Sequence, residues 1–496
     1  MERLTALDLM SIWPEACGWS NDIGALALLD GAGLVGADGR LPVEALRDHI
    51  GRRLHLVPRF RQLLYRPPFG LGWPLWVDAA SVDLAEHIDV LPLEGPAGES
   101  NLLLACEELR RRRLSFSRPL WRMTFLTGLP QGRIGLFIKV HHAIADGMSG
   151  IATLGAFLDT VPEPQTPDAP PWTPARMPNA RELFEDNVRR GLAKVDRTLA
   201  RLARPRATVA EIRRGLPAMA EAFTEGRTPR TTLNAHPIGW DRRFRIMRSD
   251  LCAVKGVAHA HQAKVNDVLM TALAAGLRAL LVRRGERVDG LVLRAAVPVS
   301  LHAQRQGKPK GNLDGMMAVP LPIGEANDVR RLQLIAAETR NRRKKARPQG
   351  GTLFRNPTIQ RALLGLMGRQ RFMNTYAANV PGPALPLYFA GARLMELFPI
   401  VPISGNVSIG IGALSYAGQF NITAVADRDL VPDIDSFVDG MRRSLQVLEG
   451  APTSPAASST RNVNGSSWRS NRALTSSAPR ARATGVAVSR GGGDLR

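Results

Sequence analysis

His141-His142-Ala143-Ile144-Ala145-Asp146-Gly147 is the stretch on which the reading of this chain turns. The residues before it alternate, with Ile134, Leu136 and Ile138 on one side and Gly135, Phe137 and Lys139 on the other, which predicts a strand ending at the histidine pair. Met148 to Leu158 then reads as the start of an apolar helix. An imidazole at a strand end can project into a cleft. Its titration near neutrality lets it take a proton from an alcohol, amine or thiol and return it. Asp146, four residues beyond His142, is close enough to brace the turn, and Gly147 permits backbone angles that a side chain forbids.

The rest of the chain bounds what this element can belong to. At 496 residues the chain is long enough for two or more domains, and 44% hydrophobic with 22% charged residues is a globular composition. A formal net charge of +22 predicts attraction to anionic surfaces such as acidic lipid or acyl-CoA phosphates. Arg110 to Arg113 form one basic block, and Arg340, Arg342, Arg343, Lys344, Lys345 and Arg347 another; each reads equally as a solvated helix face. No nucleic-acid module is recognised and aromatics are only 5%, so nucleic-acid binding is not expected. Cys17, Cys106 and Cys252 lack metal or disulfide spacing and fit a reduced cytoplasm. The Met1-Glu2-Arg3 start has no signal-peptide core. No uninterrupted apolar run approaches the roughly 20 residues that cross a bilayer. The best, Val268 to Val282, is broken by Arg278, so any membrane contact is expected to be peripheral.

Four segments follow. Residues 1–175 form a first mixed α/β half, ending in the proline-rich run from Val161 to Pro174. Residues 176–230 are a helical, basic crossover, with Leu183, Val188, Leu192, Val195 and Leu199 at three- and four-residue steps. Residues 231–450 form a second α/β half, in which Leu291 to Val299 reads as a buried strand and Val265 to Val282 as a helix opened by Asn266 or Asp267. Residues 451–496, rich in Ser, Ala, Gly, Thr and Arg, are expected to be a disordered basic tail, either adding affinity for anionic membrane or inert.

The His141–Gly147 element resembles the HHxxxDG signature of acyl-CoA-dependent acyltransferases. The wider chain resembles the bacterial wax ester synthase/diacylglycerol acyltransferase family. The resemblance is carried, in order, by Leu4-Thr5-Ala6-Leu7-Asp8, Pro58-Arg59-Phe60-Arg61, Trp76-Val77-Asp78, Ser117-Arg118-Pro119-Leu120-Trp121, Gly128-Leu129 and Val265-Asn266-Asp267-Val268. Pro298-Val299-Ser300-Leu301, Gly311-Asn312, Asn379-Val380-Pro381-Gly382-Pro383 and Ser415-Tyr416 with Gly418 complete the series, which runs from about Leu4 to about Leu448. It implies two chloramphenicol-acetyltransferase-like, condensation-domain-like halves around a central tunnel. It also implies transfer of a fatty acyl group from acyl-CoA to diacylglycerol or a long-chain alcohol, directly and with acyl-CoA as substrate rather than cofactor.

In that reading His142 is the general base. His141 lies on the same extended segment, so its imidazole points the opposite way and packs behind the site. Asp146 either bonds an imidazole or pairs with an arginine, Arg294 being a candidate, and Gly147 serves the backbone. Asn266 and Asp267 are a helix cap or lie near a substrate channel. Gly311 and Asn312 form a turn near the tunnel or on the surface. No metal is expected, because a thioester is already activated. Two departures stand out: His302 where the family commonly has arginine, and Asn21-Asp22 where it often has a histidine. Both bear on substrate preference. The expected location is cytoplasmic, against the inner face of the plasma membrane or lipid inclusions. Two alternatives remain: a carrier-protein-dependent condensation-type acyltransferase, and a non-catalytic lipid-surface-binding protein.

Overall fold

The alternation around Phe137 becomes the middle of a sheet. The computed structural model describes residues 2–4, 6–36, 40–94, 98–144, 154–164, 168–202, 226–300, 314–345 and 365–450, and the helices and strands of the first half come first. They are β1 (Glu2–Arg3), α1 (Ala6–Ala16), β2 (Asp22–Asp30), α2 (Val43–Gly51), β3 (Gln62–Tyr65), β4 (Leu75–Asp78), α3 (Leu84–His87), β5 (Ile88–Pro92), α4 (Glu99–Arg111), β6 (Trp121–Thr127), β7 (Arg133–His141) and α5 (Ala180–Leu202), then β8 (Arg242–Asp250) and α6 (Leu251–Ala260) opening the second half. There follow α7 (Val265–Arg283), β9 (Val292–Ser300), β10 (Asp314–Pro322), α8 (Asp328–Lys345), β11 (Thr375–Pro381), β12 (Tyr388–Phe389), β13 (Ala392–Ile400), β14 (Ile409–Tyr416), β15 (Gln419–Asp427) and α9 (Ile434–Gly450).

Two six-stranded sheets result, ordered β12-β13-β2-β7-β6-β5 and β10-β9-β11-β14-β15-β8, beside a small β1-β4-β3 sheet. Strand β7 is buried on both faces: Ile134, Leu136, Ile138 and Val140 join one core with Trp121 and Phe125, while Phe137 joins another with Phe244 and Phe398. That second core draws residues from both large sheets, so the face of β7 bearing Phe137, Lys139 and His141 looks toward the second half. In the second half, α7 lies against α9 at a close crossing, where a Cβ on Gly276 would come within 2.7 Å of the Phe437 carbonyl oxygen and one on Gly440 within 2.6 Å of Ala279 Cβ. Glycine at both positions is what lets the helices approach.

Residues 388–400 of the second half supply β12 and β13 to the first sheet, where β13 runs antiparallel to β2. The Asn379–Pro383 motif ends β11 and begins the passage from one sheet to the other. Tyr416 fixes that passage: its hydroxyl accepts from Leu387 N–H and donates to Leu394 O, both at 2.8 Å. The Val265 helix forms as expected, but its start differs. Lys264 is the capping position, and Asp267 sits three residues in, where its carboxylate accepts the Lys264 N–H at 2.8 Å. Neither Asn266 nor Asp267 is the cap itself.

Candidate active site

Strand β7 ends by delivering two consecutive histidines into different surroundings. His141 is fully buried and faces Asp22 across the β2–β7 ladder. Its N–H donates to Leu120 O at 2.9 Å, so the Pro119-Leu120-Trp121 motif holds the strand end in place. Its Nδ1 accepts the Ala143 N–H at 3.1 Å, which leaves the ring proton on Nε2. Nε2 lies 3.3 Å from Glu15 Oε1 of α1, without hydrogen-bond alignment, and the ring meets Phe116 edge-on at 5.8 Å. His142 follows in a turn, half-buried, its N–H donating to Asn21 O at 3.1 Å. The Asn21 side chain in turn donates to Ser11 O at 2.9 Å, so the position where the family often has a histidine here ties α1 to the turn.

A buried ion pair lies directly behind. Lys139, two residues before His141 on the same face, sets its ammonium 3.2 Å from Asp22 Oδ2 and donates to the carbonyls of Arg110 (2.8 Å) and Arg112. Burial pulls the Lys139 pKa below the ordinary lysine value, with Asp22 opposing the shift and Arg110 adding to it. Arg110, itself buried, is lowered for the same reason. Ser20 Oγ donates to Asp22 at 2.7 Å. Glu15, Asp22 and His141 bring three potential metal-ligand atoms within 4.8 Å of one another. The Lys139 ammonium already supplies the positive charge at Asp22, which weighs against reading the trio as a metal centre.

Glu15 and Phe116, the two side chains that approach the His141 ring, also line a cavity of about 520 Å³. Leu9, Ile12, Trp13, Trp73 and Phe116 give it an apolar lining, and Arg66, Arg113 and Glu15 add charge. Arg66 stacks its guanidinium over Phe116 at 4.5 Å. Trp121 is buried under the site, stacked between Phe60 (4.8 Å) and His87 (4.4 Å), with its Nε1–H donating to Phe60 O at 3.0 Å.

The other sequence-derived candidates fall elsewhere. Both carboxylate oxygens of Asp267 are engaged structurally, Oδ2 by the Lys264 N–H and Oδ1 by the Thr339 hydroxyl of α8 at 2.8 Å. Asn266 beside it is half-buried. Arg294 donates to Gly226 O at 2.9 Å. Asp146, Gly147, His302, Gly311 and Asn312 lie outside the described residues. The sequence reading did not single out Glu15, Lys139 or His87. Lys139 carried a signal, since it is a charged residue on a strand otherwise buried on both faces. Glu15 and His87 carried none, because only tertiary packing brings them to His141 and Trp121.

Comparison with known proteins gives this arrangement a context. Residues 4–269 match the model of the wax ester synthase/diacylglycerol acyltransferase catalytic domain, and residues 310–449 match that of the WS/DGAT C-terminal domain. The chain is 30% identical over 458 residues to a protein of Mycobacterium tuberculosis named a "probable" diacylglycerol O-acyltransferase, covering 90% of this chain and 96% of that relative. Among solved structures, it is similar to a wax ester synthase/diacylglycerol acyltransferase from Marinobacter aquaeolei VT8 (TM-score 0.65, 23% identity, covering 90% of this chain and 98% of that one). It is also similar to the first condensation domain of the calcium-dependent antibiotic synthetase (TM-score 0.58, 15% identity, covering 90% and 96%). These likenesses establish the fold as the mixed α/β, two-half architecture expected from the sequence.

Proposed function

The chain belongs to the wax ester synthase/diacylglycerol acyltransferase family, and from that premise we propose that it transfers a fatty acyl group from acyl-CoA to the hydroxyl of diacylglycerol, and secondarily of a long-chain alcohol, with His142 as general base. The observation that carries the reading is the division of labour at the end of β7. His141 is buried and bonded to the backbone around it, whereas His142 stands half-buried in the turn beyond. The thioester is already activated, and the weak step is attack by a neutral hydroxyl. His142 takes that proton as the oxygen bonds to the thioester carbonyl carbon. The C–S bond then breaks, and the imidazolium returns the proton to the departing thiolate, leaving an ester and free CoA. Such proton transfer contributes roughly 10²–10⁴-fold in rate.

The apolar cavity at Phe116 supports a lipid substrate, because burying a chain in it removes greasy surface from water. Diacylglycerol is preferred as acceptor because the relative with 30% identity carries that name. We place the protein on the cytoplasmic face of a membrane, where such acceptors reside. The net charge of +22 favours that surface. The likeness to condensation domains supports a second reading, with the acyl group arriving on a carrier-protein arm.

The deciding experiment follows CoA release from palmitoyl-CoA with dioleoylglycerol or hexadecanol present, for wild type and His142→Ala. Acceptor-dependent release that falls at least about 100-fold in the folded variant is the expected result. Folded wild-type protein that releases no CoA with either acceptor overturns the reading in favour of a carrier-borne donor.

A further inference from the structure

Helix α5 leaves an apolar stripe uncovered. One side of its first turns is fixed to the small sheet. Leu183 is buried with Leu75 and Val77 of β4. The Arg3 guanidinium donates to Asp186 Oδ2 at 2.8 Å, to Leu183 O at 3.0 Å and to Trp73 O at 2.6 Å. Asn187 donates to Gly70 O at 2.9 Å. From Val188 to Asp196, every described residue is exposed. Phe184, Val188, Leu192 and Val195 recur at helical spacing and share one stripe, exposed by 55%, 43%, 62% and 54%. At about 100° per residue this stripe is turned more than a right angle from Leu183, away from the side that packs. Phe69, fully exposed, precedes Gly70, whose carbonyl accepts from Asn187 of the helix.

Scattered exposed apolar residues need no explanation, but a contiguous stripe does. Charge identifies its occupant. From Phe184 to the end of the helix the sequence carries five basic residues, Arg189, Arg190, Lys194, Arg197 and Arg201, against Glu185, Asp186 and Asp196, with Arg190 held by Asp186 at 3.1 Å, in a chain of net charge +22. A helix with an aliphatic stripe and a basic remainder suits the plane of a bilayer, its stripe at the acyl boundary and its cations among phosphates. We propose that the α5 stripe, with Phe69, is the surface on which this protein seats on an anionic lipid bilayer. The proposal deepens the membrane-surface reading given above and rests on it.

The test is flotation of the full-length protein with vesicles of three parts phosphatidylcholine to one part phosphatidylglycerol, or of phosphatidylcholine alone, at low and high salt. Wild type is expected to float with the anionic vesicles, and less with neutral vesicles or high salt. The triple variant Val188→Ser, Leu192→Ser, Val195→Ser is expected to lose roughly tenfold or more of that partitioning, and Phe69→Ser less. CoA release with acceptor presented in detergent micelles should stay at the wild-type level, because none of these residues lines the site. A triple variant that floats like wild type overturns the proposal while leaving the membrane-surface reading intact. Wild type that floats with neither vesicle overturns both. A wild-type dimer that becomes a monomer in the triple variant, with flotation unchanged, makes the stripe a self-association face and likewise overturns the proposal.

Discussion

His141 and His142 show how far one position along a strand changes a side chain's role. The first is consumed by packing and by the Ala143 N–H, and the second follows half-buried in the turn. Behind them, Lys139 and Asp22 form a buried pair in which each answers the other's charge, both side chains being under 5% exposed. Lys139→Met is therefore expected to destabilise the fold by about 3–5 kcal/mol, because it strands a buried carboxylate. Lys139→Met with Asp22→Asn should recover much of the loss. Denaturant unfolding of the four proteins in this cycle checks the coupling, and an additive double variant would refute it. His87 offers a pH test. Burial lowers its pKa from 6.5, against the favourable bond to Trp121 O. The unfolded chain therefore takes up the proton first as pH falls. The stability His87 contributes is full above pH 6.5 and is lost below it, as pH drops toward the folded value. His87→Phe, which keeps the stack on Trp121, should show a smaller drop in Tm between neutral and mildly acidic buffer than wild type.

At the scale of elements, the instructive cases are the start of α7 and the passage into β12. Asn and Asp are strong capping residues, so the sequence points to Asn266 or Asp267 as the helix start. The helix begins earlier because Asp267 caps from three residues inside and also accepts from Thr339, which the local sequence cannot reveal. Asp267→Ala should cost about 1–3 kcal/mol, since it leaves the Lys264 N–H without its partner and the buried Thr339 hydroxyl with the Ala336 carbonyl alone. A thermal melt measures this, and CoA release at the wild-type rate from the folded variant would separate the structural role from a substrate contact. In the passage between sheets, a Cβ on Gly382 would come within 2.3 Å of Ser415 O, so the two motifs around Gly382 and Ser415-Tyr416 are paired in space. Tyr416→Phe removes the partner of both Leu387 N–H and Leu394 O and is expected to lower stability by about 1–3 kcal/mol.

For the whole molecule, exchange of β12 and β13 ties the halves together. A core containing Leu26, Phe137, Phe244 and Phe398 spans both sheets, and Arg248 of β8 bonds Glu396 of β13 through two nitrogens, at 2.7 and 2.9 Å. The halves should therefore unfold as one. Calorimetry is expected to give a single cooperative transition, and two resolved transitions would show that the halves are independent. The sequence by itself determined the strand ending at His141, the α/β class, the order of the motifs and hence the family, because periodicity and short motifs are local and survive in one dimension. The tertiary structure alone decided that residues 388–400 complete the first sheet, that Glu15 and Lys139 stand behind the histidine pair, and that the stripe of α5 remains uncovered. Each depends on contacts between residues far apart in the chain, and no local pattern encodes which of several apolar faces will find a partner.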